Sequence, residues 1–304
     1  MKSAIVTGAN GFVGYWLTKE LSDNGCNVIA IVRDSSSDVS KLKSLNGVTI
    51  VYCPLSNLKN LPDKINKKGY DAFYHLAWTG AGGDTRADYD IQIRNAQYCC
   101  DAVYAAAHLE CSSILLSGTV TENLVKNVLH KSMVAKNEIY GVCKQFAHYL
   151  SYIESQRFNI RHIWMQFANL FGPGSINGNI VGYTIEQILK GENACFGPAN
   201  QYYDLLYVTD LAHAAYLLGK SSKTQGCYYI GSGTPRKLQS YLLEIGEVLG
   251  KPHLIKIGER QDDGTRYDES WFDISALKNE TGYTPITTFE KGIIHTKEWM
   301  KNKQ

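Results

Sequence analysis

From Ser3 to about residue 165, short apolar runs alternate with longer stretches whose apolar positions recur every three or four residues. The short runs are Ser3–Thr7, Val28–Val32, Val48–Tyr52, Ala72–Leu76, Ser113–Ser117 and Ile160–Gln166. Their apolar side chains stand at consecutive rather than alternate positions, which predicts strands buried on both faces, as in a parallel sheet. Helical patterns at Phe12–Asn24, Asp88–Ala107 and Glu138–Ser155 lie between them. This alternation predicts an α/β fold, a doubly wound parallel sheet of the Rossmann kind with helices on both faces. After Gln166 the rhythm breaks. Asn169–Asn179 (NLFGPGSINGN) is rich in glycine, asparagine and proline and reads as loop. Helical and strand pieces then follow irregularly: Ile180–Lys190, Tyr207–Leu218, Cys227–Ile230, Leu238–Leu249 and a final helix from about Phe289. The expected organisation is a sheet domain over residues 1–168 and a smaller α/β lobe over 169–304. That lobe would pack over the sheet's carboxyl edge, with the chain partly returning to the sheet.

Composition narrows the function more than it changes the fold. Hydrophobic residues make up 44% of the 304 and charged residues 20%, an ordinary globular balance. The net charge is +2 with the signs mixed along the chain, so no basic stripe points to nucleic acid. The eight cysteines include no C-x-x-C pair and no His-rich neighbour, so neither zinc nor a disulfide framework is expected. Met1 runs straight into a strand, and no apolar stretch nears the roughly 20 residues that span a bilayer. The cytoplasm is the expected location.

The first strand leads into SAIVTGANGFVG (Ser3–Gly14). Gly8 permits a tight turn, Gly11 lets backbone N–H groups approach a pyrophosphate, and Gly14 allows close helix–strand packing. A strand before the glycines and a helix after them is the context a dinucleotide loop requires. Gly8, Asn10, Gly11, Phe12, Val13 and Gly14 are therefore the expected cofactor residues. At the end of the second strand the usual place of a ribose-binding acid falls on Val32, and Arg33 follows. A guanidinium there pairs with a 2′-phosphate, which points to NADP. Asp34 would serve NAD instead.

Tyr140 and Lys144 are spaced i, i+4, on one face of a helix. An ammonium beside a phenol of pKa about 10 favours phenolate and lets the tyrosine exchange protons nearer neutrality.

TGANGFVG, LLSGT (Leu115–Thr119), YGVCK (Tyr140–Lys144) and NLFGPG (Asn169–Gly174), in this order and spacing, resemble the extended short-chain dehydrogenase/reductases, the NAD-dependent epimerase/dehydratase family. YDLLYVTDLAHA (Tyr203–Ala214) and GYTPITTFEKGI (Gly282–Ile293) look like later landmarks of the same family, so the resemblance covers nearly the whole chain. It implies an NAD(P)-dependent oxidoreductase, with Tyr140 as general acid/base and Lys144 also holding the nicotinamide ribose. Thr119 would hydrogen-bond the reacting oxygen, with Ser117 as the fallback. Leu55, Leu76 and Ala77 fall at family cofactor positions, and Asn169 and Asn179 in substrate loops, with Gln201 as a further contributor. The resemblance also implies a homodimer through the helices of Asp88–Ala107 and Glu138–Ser155.

Most such enzymes act on nucleotide sugars. The Asp-Glu pair that dehydratases place after the active-site threonine is replaced here by Val120-Thr121, and Glu122, three residues on, reads as a solvated loop carboxylate. If Arg33 reads NADP, net reduction is implied, and the expected activity is reduction of a nucleotide-linked 4-keto-6-deoxyhexose. The alternatives are a nucleotide-sugar 4-epimerase using bound NAD, a carbonyl reductase outside sugar metabolism, and a non-catalytic NADP-binding redox sensor. Three positions depart from the family: Cys53-Pro54-Leu55 lacks the acid beside the adenine, Gln92 replaces a helix asparagine, and Tyr203 replaces a diphosphate-gripping arginine. Arg260 and Arg266 are the candidates to meet the diphosphate instead, and His75 reads as structural or cofactor-adjacent.

Overall fold

The computed structural model describes residues 1–126, 128–130, 134, 138–175, 179–262 and 264–302. The first half forms β1 (Ser3–Thr7), α1 (Phe12–Asp23), β2 (Asn27–Val32), α2 (Ser40–Lys43), β3 (Val48–Tyr52), β4 (Ala72–His75), α3 (Tyr89–His108), β5 (Ser113–Thr119), α4 (Thr121–Val125), α5 (Glu138–Arg157) and β6 (Arg161–Phe167). Then come β7 (Asn169–Phe171), α6 (Ile180–Lys190), β8 (Ala194–Phe196), β9 (Tyr202–Tyr203), β10 (Leu205–Tyr207), α7 (Val208–Lys220) and β11 (Gly226–Ile230). The chain ends with β12 (Arg236–Lys237), α8 (Leu238–Val248), β13 (Ile255–Ile257), α9 (Ser275–Thr281) and α10 (Phe289–Lys301).

Seven of these strands make one parallel sheet in the order β11-β6-β5-β4-β1-β2-β3. Every residue of β1 and β4 is buried, as consecutive apolar positions require of a sheet covered twice. Side chains alternate between the faces. Ala4 and Val6 join a core with Leu17 and Leu21 of α1 and Leu211 and Leu218 of α7. Ile5 enters the opposite core with Ala96, Ala102 and Ala106 of α3 and Ala147 of α5. The order reverses between β1 and β4, so a crevice opens there at the strands' carboxyl ends, where α/β sheets hold their ligands.

A third core, built from α6, α8 and α10 with Phe171, Phe196 and Tyr207, belongs to the second half. Short ladders β10–β7, β12–β9 and β13–β8 frame it. The first corrects the loop expected over Asn169–Asn179: Asn169–Phe171 is a strand, held parallel to Leu205–Tyr207. Three residues are too few to show a period, so only the distant partner reveals it. Tyr207 is the last residue of β10 rather than the first of a helix. Residues 176–178 of that expected loop lie outside the described residues. Within residues 169–304, β11 adds the sheet's edge strand beside β6.

Candidate active site

The glycine loop is shaped by contact. Gly8 has φ +67°, and a Cβ there would meet the Ala77 backbone at 3.0 Å. A Cβ on Gly14 would fall 2.0 Å from the Gly8 carbonyl oxygen, so only glycine lets α1 start so close to β1. Gly11 caps α1 without any side-chain hydrogen bond, and no acid stands in the first turn. The N–H groups of Phe12, Val13 and Gly14 thus face outward as a ready anion cradle, which fits a dinucleotide's pyrophosphate. Thr7 ties this loop to β4: its hydroxyl accepts from the N–H groups of Leu76 (3.2 Å) and Ala77 (3.3 Å) and bonds His75 Nδ1 at 2.9 Å. Burial pushes His75 down to about 3, so the ring is neutral, and its role is to align the two strand ends. The Asn10 amide donates to the Asp38 carbonyl at 3.4 Å. Leu55 opens a 3-10 helix, Leu55–Lys64, soon after β3.

At the end of β2, Arg33 is exposed and its Nε donates to Asp34 at 2.8 Å. Asp34 also accepts from the N–H and hydroxyl of Ser36, and these bonds with Arg33 draw its carboxyl down to about 2. Solvent screens a surface pair of this kind, which leaves the guanidinium free to turn to a better anion.

The ends of β4 and β5 and the start of α5 bring Tyr140, Lys144 and Thr119 together. The Thr119 hydroxyl donates to Thr121 Oγ1 at 3.1 Å and accepts from the Thr121 N–H at 3.3 Å. Burial pushes the phenol up to about 12, while Arg86 and Thr119 pull against it and Glu122 adds to it. Lys144 is buried. Its ammonium donates to the Ser117 carbonyl (2.5 Å) and hydroxyl (3.3 Å) and lies 3.6 Å from the centre of the Trp78 ring. It stands 5.9 Å from the Tyr140 ring centre, and the cation over that ring's face is Arg86, at 4.3 Å. Ser117 and Trp78 hold the Lys144 ammonium in this arrangement. Ser117 accordingly contacts Lys144 rather than replacing Thr119.

Glu122 departs most from its reading as a solvated carboxylate: α4 turns it inward until 1% of it is exposed. Its carboxylate accepts from the Thr119 N–H at 2.6 Å and from Trp164 Nε1 at 3.0 Å. Burial pushes its pKa up and that of Lys144 down.

Farther along the lobe, Gln201 and Arg260 line a groove of about 270 Å³ with Ile180, Phe196, Pro198 and Asp262. Arg260 donates to the Tyr183 hydroxyl at 2.7 Å. Arg266 is ion-paired with Asp262. Asn179 is the N-cap of α6: its Oδ1 accepts from the Gly182 N–H at 2.7 Å, while its Nδ2 donates to Leu170 and Ser175. That amide is committed to the fold. Asn169 differs, since its Nδ2 is buried without a partner among the described residues. A larger cavity, about 540 Å³, opens among Leu205–Tyr207, Arg236 and Thr284–Phe289 and includes none of the predicted site residues.

The model of the NAD dependent epimerase/dehydratase family matches residues 4–231. The chain belongs to that family. It is accordingly an enzyme of the extended short-chain dehydrogenase/reductase type, dependent on a nicotinamide dinucleotide. Among epimerase/dehydratase relatives, it is 22% identical to CDP-abequose synthase of Salmonella typhimurium over 95% of both chains. It is 26% identical to the dTDP-6-deoxy-L-talose 4-dehydrogenase (NAD(+)) of Aggregatibacter actinomycetemcomitans, over 79% of this chain and 88% of that one. The fold is similar, at TM-score 0.82 and 20% identity, to UDP-N-acetylglucosamine 4-epimerase from Methanobrevibacter ruminantium M1 in complex with UDP-N-acetylmuramic acid, covering 100% of this chain and 99% of that one.

Within this epimerase/dehydratase framework the departures acquire reasons. Gln92 reaches three partners: its Oε1 accepts from Trp78 Nε1 at 2.8 Å, and its Nε2 donates to the carbonyls of Gly80 (2.8 Å) and Thr85 (2.9 Å). Tyr203, in β9, packs its ring edge-on against Tyr267. Sequence reasoning missed Arg86, Trp78 and the burial of Glu122. The first two lie in a stretch with no period, and for Glu122 the pairing with Trp164 across 42 residues leaves no local trace.

Among the described residues no helix is long and apolar enough to cross a membrane. All eight cysteines are free.

Proposed function

We propose that this chain is an NADPH-dependent reductase of a nucleotide-linked 4-keto-6-deoxyhexose. The observation that carries the reading is the convergence of the buried Tyr140 and Lys144 of α5 with Thr119 at the carboxyl end of β5, packed on Trp78, the residue after the Ala77 that meets Gly8. When bound, the dinucleotide supplies the hydride. Tyr140 hands its proton to the oxygen that becomes the C4 hydroxyl, and Thr119 donates to that oxygen as charge develops on it. Lys144 and Trp78 wall the ribose side, Arg33 takes the 2′-phosphate, and Asn169 offers its spare amide to the sugar. Gln201, Arg260 and Arg266 serve the nucleotide diphosphate along the groove, which makes residues 169–304 mainly the substrate lobe. Two relatives named for deoxysugars support this substrate class.

Asp34 favours a second reading. A carboxylate just past β2 suits the ribose hydroxyls of NAD, and a resident NAD suits a 4-epimerase. One incubation separates the two. With NADPH and several nucleotide-linked 4-keto-6-deoxyhexoses, the reductase consumes cofactor and yields one C4 alcohol. If cofactor is not consumed while nucleotide hexoses interconvert at C4 without added cofactor, the epimerase stands instead.

Val142, Phe146, Tyr149 and Ile153 form an exposed apolar stripe on α5, with Ile93 exposed on α3. A homodimer through these helices would cover it. Phe146→Glu should then yield a monomer in light scattering, and an unchanged mass would remove the dimer face. Free thiols throughout suit a reducing cytoplasm.

A further inference from the structure

Glu122 has no part in the reading above, although its buried carboxylate holds the peptide of Thr119. Its place follows from how β5 ends. Successive N–H groups along a strand point to opposite neighbours. β4 runs out at His75, opposite Leu116, while β5 continues beside β6 as far as Thr119 and Phe167. The Val120 N–H still finds the Phe167 carbonyl at 3.0 Å. The Thr119 N–H, one residue earlier, faces the side that β4 has left, and an N–H without a partner is costly. α4 supplies the missing acceptor. It turns the chain back so that Glu122 Oε1 receives that N–H at 2.6 Å, and Thr121 Oγ1 comes within 3.1 Å of Thr119 Oγ1.

The carboxylate is itself fixed. Trp164 Nε1, from β6, donates to Oε2 at 3.0 Å and lies 3.2 Å from Oε1. The indole is fully buried and lies flat on the His148 ring of α5, 4.5 Å between centres and 3° from parallel. Gly118 makes room for both groups: a Cβ there would fall 2.2 Å from Trp164 Nε1 and 2.8 Å from Glu122 Oε1. A neutral amide would satisfy the strand end without the desolvation that a buried carboxylate costs. What the carboxylate adds is stiffness, because hydrogen bonds to an ionised group are the stronger ones. That stiffness sits directly under the residue whose hydroxyl meets the substrate. We infer that Glu122 is a positioning residue: it clamps the Thr119 peptide and so fixes the direction in which the Thr119 hydroxyl meets the reacting oxygen. The inference rests on Thr119 donating to that oxygen. Such a donor is effective when it is preset toward the place where charge develops.

Single and double variants read this in steady-state kinetics with NADPH and a nucleotide-linked 4-keto-6-deoxyhexose. Glu122→Gln keeps the shape of the side chain but turns an NH2 group toward one of the two donors. It should lower kcat about tenfold, the weight of a hydrogen bond to a charged group, with KM and NADPH affinity unchanged. The same substitution in a Thr119→Val background should cost less than about twofold further, since a clamp does nothing once the hydroxyl it aims is gone. A glutamate that served only the fold would cost the same in both backgrounds. Trp164→Phe releases one side of the carboxylate and should give a smaller loss with the same dependence on Thr119. It takes over the test if Glu122→Gln does not fold. In whichever variant folds, an unchanged kcat, or an equal fold-loss with and without the Thr119 hydroxyl, overturns the inference. Near-normal turnover by Thr119→Val alone would instead overturn the reading beneath it, so the two failures are distinguishable.

Discussion

The cluster around Tyr140 and the groove of the smaller lobe are built on opposite principles. At the first, Tyr140, Lys144 and Glu122 are buried, with Lys144 held by Ser117 and Glu122 by the Thr119 N–H and Trp164. At the groove end Arg260 and Arg266 lie near the surface, one on the Tyr183 hydroxyl and the other on Asp262. Burial multiplies what a charge does to its neighbours, whereas solvent at the surface screens it. The proposed function accordingly puts chemistry in the first and recognition in the second. A substitution at the reacting end should change rate or stability, and one in the groove should change affinity alone.

The strongest break in that comparison is Tyr140→Phe. Removing the proton donor should lower kcat by about 10²–10⁴-fold, the usual share of general acid catalysis, with NADPH affinity unchanged. Steady-state kinetics beside a fluorescence titration of NADPH measures both. Near-normal turnover would place the chemistry elsewhere.

Acid stability comes second. His75 and His162 are buried, and burial pushes each down to about 3 from an ordinary 6.5. The unfolded chain takes up these protons below 6.5, and the folded chain only near 3. Stability present above pH 6.5 is therefore lost as the pH falls from there toward 3, by about 1.4 kcal/mol per pH unit for each ring. Thermal melts between pH 7 and 4.5 should show the loss, and His162→Phe should flatten part of it. An equally steep loss in that variant would remove His162 from the account.

The same contrast governs how much could be read from the amino acids. β1 was legible because five consecutive residues have one environment, and the glycine loop because Gly8 and Gly14 answer to steric limits that their own neighbours impose. Tyr140 and Lys144 were legible through helical spacing. What Lys144 touches was not, because Ser117 arrives from β5 and Trp78 from the loop after β4. Glu122 looked solvated because nothing adjacent announces Trp164. Asn179 looked like a ligand contact because the same amide chemistry serves a helix cap. Local patterns report the backbone, and long-range contacts decide the use of the side chain.

Arg33→Ala tests the exposed rim of the cofactor end. Its pair with Asp34 is weak enough to break for a 2′-phosphate. The variant should bind NADPH about tenfold more weakly and NADH almost as before, the size of one charge-assisted contact at an exposed site. Parallel titrations with the two cofactors settle it. Equal losses would assign the ribose to Asp34 and favour NAD.

The smallest effects belong to the groove. Arg260→Ala and Arg266→Ala each remove a half-screened charge, so KM for the nucleotide sugar should rise a few-fold, roughly 1 kcal/mol or less, while kcat holds. Melting temperature should barely move, since near-surface pairs contribute within about 0.5 kcal/mol of nothing. The double variant sharpens the point. Both guanidiniums flank Asp262, Arg266 by ion pairing and Arg260 by lining the same groove. If one diphosphate meets both, the two losses should be non-additive, because residues that share a partner couple. Strict additivity would mean separate ligand contacts, and an unchanged KM in all three variants would move the diphosphate out of this groove. A fall in kcat would erase the division between the two ends, since a groove charge would then be acting on the proton transfer itself.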